Sequence, residues 1–452
     1  MTPTVRIIGA GLAGSEAAFQ AAERGIDVWL YEMKPEKFTP CHHSEGFAEL
    51  VCSNSLRSAE LSNAVGLLKE ELRRMNSLIM EAADKTAVPA GSALAVDRQK
   101  FSEYVTDRIR RHPHIRVISE EVTEIPDDGV TVVASGPLTA PALATNISGI
   151  GCGELHFFDA AAPIVDFSTV NTDIAFFASR YGKGNGDDYL NCPMTEEEYN
   201  AFYLALTSAE TAPLKDFDAE AQAEPTVFEG CMPVEVMAKR GRDTLRFGPM
   251  KPVGLPLPST GRDAYATVQL RRENREGTMY NLVGFQTHLT FPEQRRVFRM
   301  IPGLENAEFY RYGVMHRNTY LNSPGFLDAS YATVKRPHLF FAGQMTGVEG
   351  YVESTGSGFV AGINAARTAV GLAPFVFPTE TMLGAMAHYV AHGGLSGNFQ
   401  PMNANFGIIA PLGHKVKGGK KVRNEAYSAR SLALLPAIRD AILVPYDGGN
   451  AI

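Results

Sequence analysis

The chain of 452 residues lacks several features that would assign it to other classes of protein. It has no apolar run close to the roughly 18 residues that a membrane helix needs, which predicts a protein without a membrane span. Its five cysteines include no CxxC pair, so a structural zinc site or a redox dithiol has little support. The first residues, MTPTVRIIGAGLAGSEAA, lack the basic-then-apolar order of a signal peptide, and we therefore expect a cytoplasmic location.

The composition is typical of a soluble globular protein with room for two domains, with 45% hydrophobic and 20% charged residues. The net charge of −8 is unevenly distributed. Residues 187–229 hold eleven acids and one lysine, whereas residues 230–320 hold fourteen Lys/Arg and eight acids. A second basic segment, HKVKGGKKVR at 414–423, has five Lys/Arg and no acid. Charge runs are usually solvated surface, but basic zones of this size permit a polyanionic partner.

The order of apolar and turn-forming stretches indicates an α/β fold. VRIIGA is typical of a buried strand, GSEAAFQAAERG of a helix that ends at Gly25, and IDVWLYE of a second strand. AVDRQKFSEYVTDRIRRH predicts another helix, and IRVISEEVTEI and GVTVVASGP predict further strands. Such alternation favours a parallel sheet.

From about Asp159 the pattern changes. PIVDF, DTLRFGP, YATVQLR and MYNLVGFQTHL alternate with Pro/Gly turns, which predicts strands of an antiparallel or mixed inserted domain. Near Pro337 the first pattern returns, with a strand and turn in HLFFAGQMTG and a helix in SGFVAGINAARTAVG. We therefore predict a discontinuous nucleotide-binding domain at 1–158 and 326–452, with a smaller α+β insertion at 159–325.

The first glycine turn predicts a dinucleotide site. Gly9, Gly11 and Gly14 form a G-x-G-x-x-G turn between a strand and a helix, where small residues let the backbone approach a pyrophosphate. Glu32 ends the next strand, where a carboxylate can accept hydrogen bonds from ribose hydroxyls, and Lys34 follows it. The turn adds three more residues to the predicted site: Ala10, Leu12 and Ala13.

A second glycine turn near the C-terminus favours FAD over NAD. LFFAGQMTGVEGYVESTGSGFVAGINAAR (339–367) resembles the second FAD-binding segment of glutathione-reductase-type flavoproteins. The residues that we assign to the FAD site from this segment are Gly343, Gln344, Gly347, Gly350 and Tyr351. No second GxGxxG lies between a strand and a helix, so we expect no dedicated NAD(P)H domain. The predicted fold class is a glutathione-reductase-type FAD-binding Rossmann-like α/β fold, discontinuous, with a smaller inserted α+β domain.

The stretch AGQMTGVEGYVESTGSGFVAGINAAR resembles the FAD-dependent tRNA-modifying proteins of the GidA class, which share an AGQ–GY–G–AGINAA frame. The larger member of that class carries a long C-terminal helical domain, which we do not expect here because about 85 residues follow the motif. AELVCSNSLRS, FGPMKPVGL and LVGFQTHLTFPEQRRVFRMIPGLENAEF are similar to the smaller member, a folate- and FAD-dependent tRNA (uracil-5-)-methyltransferase. The similarity extends over nearly the whole chain.

The resemblance implies that a T-loop uridine, at tRNA position 54, is converted to 5-methyluridine. In this family 5,10-methylenetetrahydrofolate supplies the carbon, and NAD(P)H supplies electrons through FAD. Three alternatives stay open: the same chemistry on a ribosomal RNA uridine, a small-molecule flavin oxidoreductase, and a flavin-bound module without enzymatic activity. The lack of a long apolar run predicts no membrane association, and a monomer is compatible with the sequence.

Two cysteines match the functional pair of the family, Cys52 in VCSNS and Cys231 in FEGCMPVE. Uracil C5 is a poor nucleophile until a thiolate adds at C6, and a base must then remove the C5 proton. We assign the addition at C6 to Cys231, because it opens the basic half of the insertion. Cys52 is expected near the flavin as a proton-transfer partner or a shield of the methylene group, although the two roles can be exchanged. Cys192 is expected to be buried packing, and Cys41 and Cys152 to be structural.

Further site residues follow from the chemistry of folate and RNA. A ring should cover the pteridine face that is turned away from the flavin, and His316 is the candidate, with a structural histidine as the equal alternative. Arg317 can pair with the folate glutamate tail or with RNA phosphate, and Arg98 either supports the cofactor region or forms a salt bridge at a helix start. The adjacent His42 and His43 are too close in sequence to surround a metal ion, so we expect no metal. The predicted RNA contacts of the basic segment are Lys415, Lys417, Lys420 and Lys421.

Overall fold

The computed structural model describes residues 3–39, 41–151, 154–160, 162–212, 232–313, 315–393, 399–414 and 416–444, and for 154–160 and 315–319 it describes the backbone alone. The strands in chain order are β1 (Thr4–Ile8), β2 (Asp27–Glu32), β3 (Ser55–Ser58), β4 (Ala87–Val88), β5 (Ala93–Val96), β6 (Ile115–Ser119), β7 (Val130–Val133), β8 (Glu154–Ala160), β9 (Ile164–Asp166), β10 (Phe176–Phe177), β11 (Tyr189–Met194), β12 (Ala266–Arg272), β13 (Met279–Leu282), β14 (Phe309–Arg311), β15 (Met315–Leu321) and β16 (Leu339–Phe341). The α-helices are α1 (Leu12–Ala22), α2 (Ala64–Arg74), α3 (Leu78–Lys85), α4 (Arg98–Arg110), α5 (Pro141–Gly149), α6 (Glu196–Ser208), α7 (Val234–Lys239), α8 (Thr244–Phe247), α9 (Phe291–Phe298), α10 (Tyr351–Ala369), α11 (Met382–His392) and α12 (Lys420–Ala441).

A parallel sheet organises the nucleotide-binding part. Among the described residues it has five strands in the order β16-β7-β1-β2-β6, and its neighbours pair in parallel. The central strands β1 and β7 are rich in β-branched apolar residues, and Val5, Ile7 and Val132 are fully buried. Because β16 comes from the C-terminal part of the chain and pairs with β7, the sheet is completed only after the intervening residues. The predicted parallel α/β sheet is confirmed.

Small residues let α10 pack directly on α1. A Cβ atom added to Gly358 would lie 2.2 Å from the carbonyl oxygen of Ala13, and one added to Gly362 would lie 2.5 Å from that of Ala17. A Cβ atom on Gly343 would lie 3.2 Å from the Ala13 Cβ. The close helix packing therefore brings the second glycine turn against the first, although the two are far apart in sequence.

An antiparallel sheet holds a second hydrophobic core. Its described strands have the order β10-β11-β12-β13-β9-β14, and neighbours pair antiparallel. The core residues of this part run from Val165 to Ala307 and include side chains of α6, α7 and α9. The predicted antiparallel or mixed arrangement of the insertion is confirmed as antiparallel.

The prediction of a strand in DTLRFGP is wrong, because residues 244–247 form the short helix α8. In a strand, Leu245 and Phe247 would lie on the same face. In the structure Leu245 is fully buried, Phe247 is 83% exposed, and the guanidinium of Arg246 lies 3.7 Å from the centroid of the Tyr265 ring. A helical turn points Leu245 and Phe247 in different directions, whereas a strand would place both on one face.

The chain passes between the two parts along adjacent strands, since β8 and β15 pair antiparallel. The predicted domain limits at 158/159 and 325/326 lie within β8 and just after β15, and this division stays a prediction.

In the part of the chain that the structure describes, no helix has both the length and the apolar character that a membrane span requires.

Candidate active site

A cleft with about 1190 Å³ of empty volume opens at the carboxyl edge of the parallel sheet. Residues that follow each of its five strands line the cleft: Gly9, Met33, Glu120, Ser135 and Gly343. In open parallel sheets ligands bind at this edge, because the loops after the strands and the helix N-termini meet there. The cleft is therefore the candidate dinucleotide site.

The first glycine turn fits a pyrophosphate. Gly9 has a φ of 99°, and a Cβ atom there would lie 2.6 Å from the Ala134 carbonyl oxygen. A Cβ atom on Gly14 would lie 1.8 Å from the carbonyl oxygen of Gly9, so Gly14 lets α1 approach β1. A Cβ atom on Gly11 would meet nothing within 4 Å, which leaves open space beside the N-terminus of α1. The cleft lining from this turn consists of Gly9, Ala10, Gly11, Leu12 and Ala13.

Glu32 joins the end of β2 to the glycine turn. Its carboxylate accepts hydrogen bonds from the amide of Ala10 at 2.8 Å and from that of Lys34 at 3.1 Å, and Glu32 and Lys34 both line the cleft. The Lys34 ammonium donates to the carbonyls of Ser44 and Gly46, and burial lowers the pKa of Lys34 from its usual value. The Glu32 carboxylate therefore lies in the cleft wall, where we predicted a contact with a ribose. Lys34 fixes the loop at residues 44–46 to the same wall.

The second glycine turn supplies the opposite wall. Gly343, Gln344 and Tyr351 line the cleft. The amide of Gly343 donates to the hydroxyl of Ser357 at 2.7 Å, which fixes the turn to α10. The side chain of Gln344 donates to the carboxylate of Glu349 at 2.7 Å.

Gly347 and Gly350 support this wall without lining the cleft. Gly347 has a φ of 88°, and a Cβ atom there would lie 2.3 Å from the Phe399 ring. A Cβ atom on Gly350 would lie 2.3 Å from the carboxylate of Glu353, which is paired with Arg57. Both glycines are therefore required for close packing behind the turn.

Cys52 lies beside this second turn. It follows Val51, which lines the cleft, and its side chain is partly exposed. The amides of Cys52 and Ser53 donate to the hydroxyl of Tyr351 at 2.7 Å and 3.1 Å. Burial is the main cause that raises the pKa of Tyr351 above its usual value, so the phenol stays protonated. The structure thus brings together two residues that the sequence assigned to the site independently.

The antiparallel part holds the same loop from the other side. The guanidinium of Arg271, on β12, donates to the Ser53 hydroxyl at 2.7 Å and to the Asn54 side-chain oxygen at 3.0 Å. The Asn54 amide nitrogen in turn donates to the carbonyls of Val96 at 2.9 Å and Arg272 at 3.0 Å. The sequence prediction missed Arg271. Its signal is an arginine in the apolar strand YATVQLR, where a buried guanidinium requires polar partners.

Three arginines surround the Cys52 loop. Arg98 begins α4, forms a salt bridge with Glu273 at 2.5 Å and donates to the Leu50 carbonyl, so its helix-start salt bridge also supports the loop. Arg98, Arg271 and Arg311 all lie within electrostatic range of Cys52. Burial lowers the pKa of Arg271 and Arg311 from the usual value, yet arginine stays charged at neutral pH. The Cys52 loop therefore lies beside fixed positive charges.

Other predicted residues are not among the described side chains that line the cleft, or lie outside the described residues. Cys231 and Lys415 are outside the described residues. His316 and Arg317 lie on β15, where their backbones pair with Asp159 and Phe158. The three exposed lysines before and within the start of α12 are Lys417, Lys420 and Lys421. Cys41 and Cys192 are buried, as we expected of a structural thiol and of a packing thiol.

The sequence prediction also missed the loop after β7, where Ser135 and Gly136 line the cleft. The strand GVTVVASGP was recognised, and the rule that ligands bind at carboxyl ends of parallel strands could have identified these residues. His42 lines the cleft as well, and burial lowers its pKa. Within the described ranges, no three His, Cys, Asp or Glu side chains are grouped as for a metal ion.

Comparison with known proteins identifies the family. The family model described as "Glucose inhibited division protein A" (GIDA) matches residues 4–373. A protein of Acetivibrio thermocellus named methylenetetrahydrofolate–tRNA-(uracil-5-)-methyltransferase TrmFO is 60% identical over 436 residues, which cover 96% of this chain and 98% of that protein. The chain belongs to the TrmFO family. TrmFO of Geobacter sulfurreducens is 60% identical over 96% of this chain and 98% of its own, and TrmFO of Lacticaseibacillus paracasei is 59% identical over 95% and 96%.

Solved structures show the same fold for this TrmFO family member. Aquifex aeolicus GidA in the form I crystal has a TM-score of 0.70 at 17% identity, covering 98% of this chain and 76% of that chain. The form II crystal has a TM-score of 0.69 at 16% identity, covering 98% and 74%. The predicted Rossmann-like α/β fold is confirmed, and so is the resemblance to the GidA class.

Proposed function

We propose that the protein is a methylenetetrahydrofolate–tRNA-(uracil-5-)-methyltransferase that forms 5-methyluridine at position 54 in the T-loop of tRNA. The observation that carries this proposal is the position of the Cys52 loop. Tyr351 holds it at the dinucleotide cleft, while Arg271 holds it from the antiparallel part. A thiol at the junction between a cofactor cleft and the part that contains the basic residues 230–320 is what uracil chemistry with a flavin requires. A small-molecule oxidoreductase requires no such junction.

The cleft residues fit FAD as the resident cofactor. Gly11 and the N-terminus of α1 would receive the pyrophosphate, and Glu32 would accept hydrogen bonds from the ribose. Gly343, Gln344 and Tyr351 would lie at the flavin end. When bound, FAD supplies electrons, taken from NAD(P)H, that convert the transferred one-carbon unit to a methyl group.

The cysteines of the chain perform the nucleophilic and proton-transfer work on the RNA. The Cys231 thiolate adds to uracil C6, which moves the electron pair of the C5=C6 bond to C5, and C5 attacks the methylene carbon of the folate, whose C=N bond becomes a C–N bond. Cys52 accepts the C5 proton, and the electron pair left on C5 expels tetrahydrofolate from the methylene carbon. The methylene group would then take the hydride that reduced FAD supplies when bound, and departure of Cys231 restores the C5=C6 bond.

The remaining predicted residues contact the two substrates. His316 on β15 covers the folate pteridine, and Arg317 binds the folate tail or an RNA phosphate. Phosphates of the tRNA are bound by the basic segment: Lys415, Lys417, Lys420 and Lys421. Because tRNA is made and modified in the cytoplasm, the protein acts there. Its parallel part is formed by residues 1–158 and 326–452, and its antiparallel part by residues 159–325.

Transfer of label from methylene-labelled folate tests the proposal. The protein is incubated with FAD, NADPH, the labelled folate and an unmodified tRNA transcript, and the nucleosides are separated by chromatography. We expect label in 5-methyluridine, and none with a transcript that has cytidine at position 54. Absence of label from every RNA overturns the proposal. Label in ribosomal RNA fragments but not in tRNA would show that the protein carries out the same chemistry on ribosomal RNA instead.

Cysteine variants separate the two thiol roles. With 5-fluorouridine at position 54 the C5 proton is replaced by fluorine, so the RNA stays covalently attached to the thiol at C6. We expect the covalent complex with Cys52→Ala and not with Cys231→Ala, and the opposite pattern exchanges the two roles. Cys192→Ala is the control, because Cys192 is fully buried in the antiparallel core. It should form the complex as the unchanged protein does.

A further inference from the structure

Three aromatic rings form a stack on the surface of the antiparallel part. The rings of Phe291 and Tyr312 lie 4.8 Å apart at 17°, and those of Tyr312 and Phe309 lie 5.2 Å apart at 19°. Phe309 packs against the hydrophobic core, whereas Phe291 at the other end is 53% exposed. The stack is thus anchored at one end and open to solvent at the other.

Arginines surround the open end of the stack. The cleft at this end, with about 1000 Å³ of empty volume, is lined by Phe291, Pro292, Arg295, Arg296, Arg299 and Tyr312. Arg296 pairs with Glu293 at 2.6 Å, and Arg299 pairs with Glu308 at 2.9 Å. Arg295 donates to the Tyr312 hydroxyl at 3.1 Å, and among the described residues no carboxylate lies within the 4.0 Å of a salt bridge to it. Arg295 can therefore neutralise an anion that comes from outside the chain.

The position of the stack depends on a buried side chain other than Phe291. Gln294 is fully buried and donates to the carbonyls of Leu289 at 2.7 Å and Gly313 at 2.8 Å. Its side-chain oxygen accepts the amide of Gly313 at 2.8 Å. These bonds join α9 to the residue after Tyr312. The exposed ring of Phe291 is therefore presented on a fixed backbone that does not need this ring for its core.

The stack follows residues that pair with both ends of the segment that contains Cys231. The amides of Ala212 and Val234, which flank the segment with Cys231, donate to the carbonyls of His288 at 2.8 Å and Gln286 at 2.7 Å, just before α9. Arg311 precedes Tyr312 and lies within electrostatic range of Cys52. The chain thus connects the stack to Arg311, which interacts with Cys52, and to the two ends of the segment that contains Cys231.

We propose that this aromatic–arginine cleft binds an unpaired nucleotide of the substrate RNA, with its base stacked on Phe291 and its phosphate on Arg295. Every base has a π-face, and exposed rings combined with a cation are how proteins hold unpaired nucleotides. Contacts to duplex phosphates alone would need the arginine but not the ring. The inference rests on the proposed function for the identity of the RNA, and it adds a nucleotide site outside the cofactor cleft.

Equilibrium binding of the full-length protein to an unmodified tRNA transcript, over a series of salt concentrations, tests the inference. We expect Phe291→Leu to raise Kd about tenfold without changing the salt slope, because a stacking contact is lost and no phosphate contact. Phe291→Trp should restore binding. Arg295→Gln should lower the slope of log K against log salt by about one, because one phosphate contact is lost.

A matched variant and a direct signal complete the test. Phe247→Leu removes another exposed ring, 83% exposed on α8, and should leave Kd unchanged. A 2-aminopurine in the T-loop should be quenched on binding to the unchanged protein and not on binding to Phe291→Leu. Unchanged binding and quenching with both Phe291→Leu and Arg295→Gln overturn the inference. Because binding needs no turnover, this result is distinct from a failure of methyl transfer, which would overturn the proposed function alone.

Discussion

The phenolic oxygen of Tyr351 lies 2.7 Å from the amide nitrogen of Cys52, across 299 positions of sequence. The bond joins the first residue of α10 to the loop that carries a predicted catalytic thiol. The amide of Ser53 donates a second hydrogen bond to the same oxygen, at 3.1 Å. One hydroxyl therefore fixes the backbone on both sides of the Cys52 peptide.

Tyr351→Phe removes this acceptor and keeps the ring. Two amides then lose their partner, and a buried donor without a partner costs about 1–3 kcal/mol. We expect a lower free energy of unfolding by about that amount and at least a tenfold lower rate of methyl transfer, measured by urea unfolding and label incorporation. Tyr389→Phe is the control, because it also removes a tyrosine hydroxyl, which there donates one exposed hydrogen bond to the Gln400 carbonyl at 2.6 Å. Equal loss of turnover in both variants would contradict a role at Cys52.

Arg271→Lys keeps the charge but loses the guanidinium fork that reaches Ser53 and Asn54 together. We expect turnover to fall about tenfold and alkylation of Cys52 by iodoacetamide to change, while FAD affinity stays the same. Arg272→Lys on the same strand is the matched control, since among the described residues the Arg272 guanidinium donates a hydrogen bond only to the Tyr280 hydroxyl, at 3.4 Å. A similar effect of both substitutions would mean that Arg271 acts only through stability.

Gly11→Ala and Gly14→Ala separate cofactor binding from folding. The added methyl at position 11 meets no atom within 4 Å, so stability without FAD should change by less than about 0.5 kcal/mol. That methyl fills the space proposed for the pyrophosphate, and FAD affinity should fall at least tenfold in fluorescence titration. At position 14 the methyl would lie 1.8 Å from a carbonyl oxygen, so the variant should be strongly destabilised. If Gly11→Ala bound FAD as tightly as the unchanged protein, the pyrophosphate would not bind beside Gly11.

The buried Glu71 predicts a pH dependence of stability. Its carboxyl accepts bonds from the amides of Met382 and Leu383 at the start of α11, and burial raises its pKa to about 7 from 4.5. Between these values the folded state holds a proton that the unfolded state has released, so stability is full below pH 4.5 and falls as pH rises through 7.

Glu71→Gln removes this titration. Urea unfolding at pH 5 and pH 8.5 should show a loss of stability in the unchanged protein that exceeds that of the variant by about 2 to 3 kcal/mol. Glu70→Gln is the control, since Glu70 lies in an exposed ion pair with Arg74. Parallel pH profiles of the unchanged protein and Glu71→Gln would show that Glu71 is ionised in the folded state.

Lys417→Gln and Lys420→Gln test the basic segment as an RNA contact. Both side chains are exposed, and each phosphate contact that is lost should lower the salt slope of tRNA binding by about 0.9. Lys37→Gln is the control, because this exposed lysine is paired with Glu121 at 2.6 Å on the cofactor part. An unchanged slope in both segment variants would exclude them as phosphate contacts.

Local patterns were sufficient to predict the residues that line the cleft proposed for the cofactor. The glycine turns at Gly9 and Gly343, the carboxylate at Glu32 and the helices after both turns follow from residue spacing within about 30 positions. The error at residues 244–247 came from a segment too short for its period to distinguish a strand from a helical turn. There the burial of Leu245 and the exposure of Phe247 decided the conformation.

The sequence by itself determined the cleft, the family and the identity of the thiol at position 52, because these depend on chemistry carried by contiguous residues. Only the tertiary structure decided what holds that thiol. Tyr351 and Arg271 reach the Cys52 loop from 299 and 218 positions away, and the Phe291–Tyr312 contact joins the start of α9 to the residue after β14. Such contacts form when separate elements pack into one core, and no local periodicity encodes which side chains then meet.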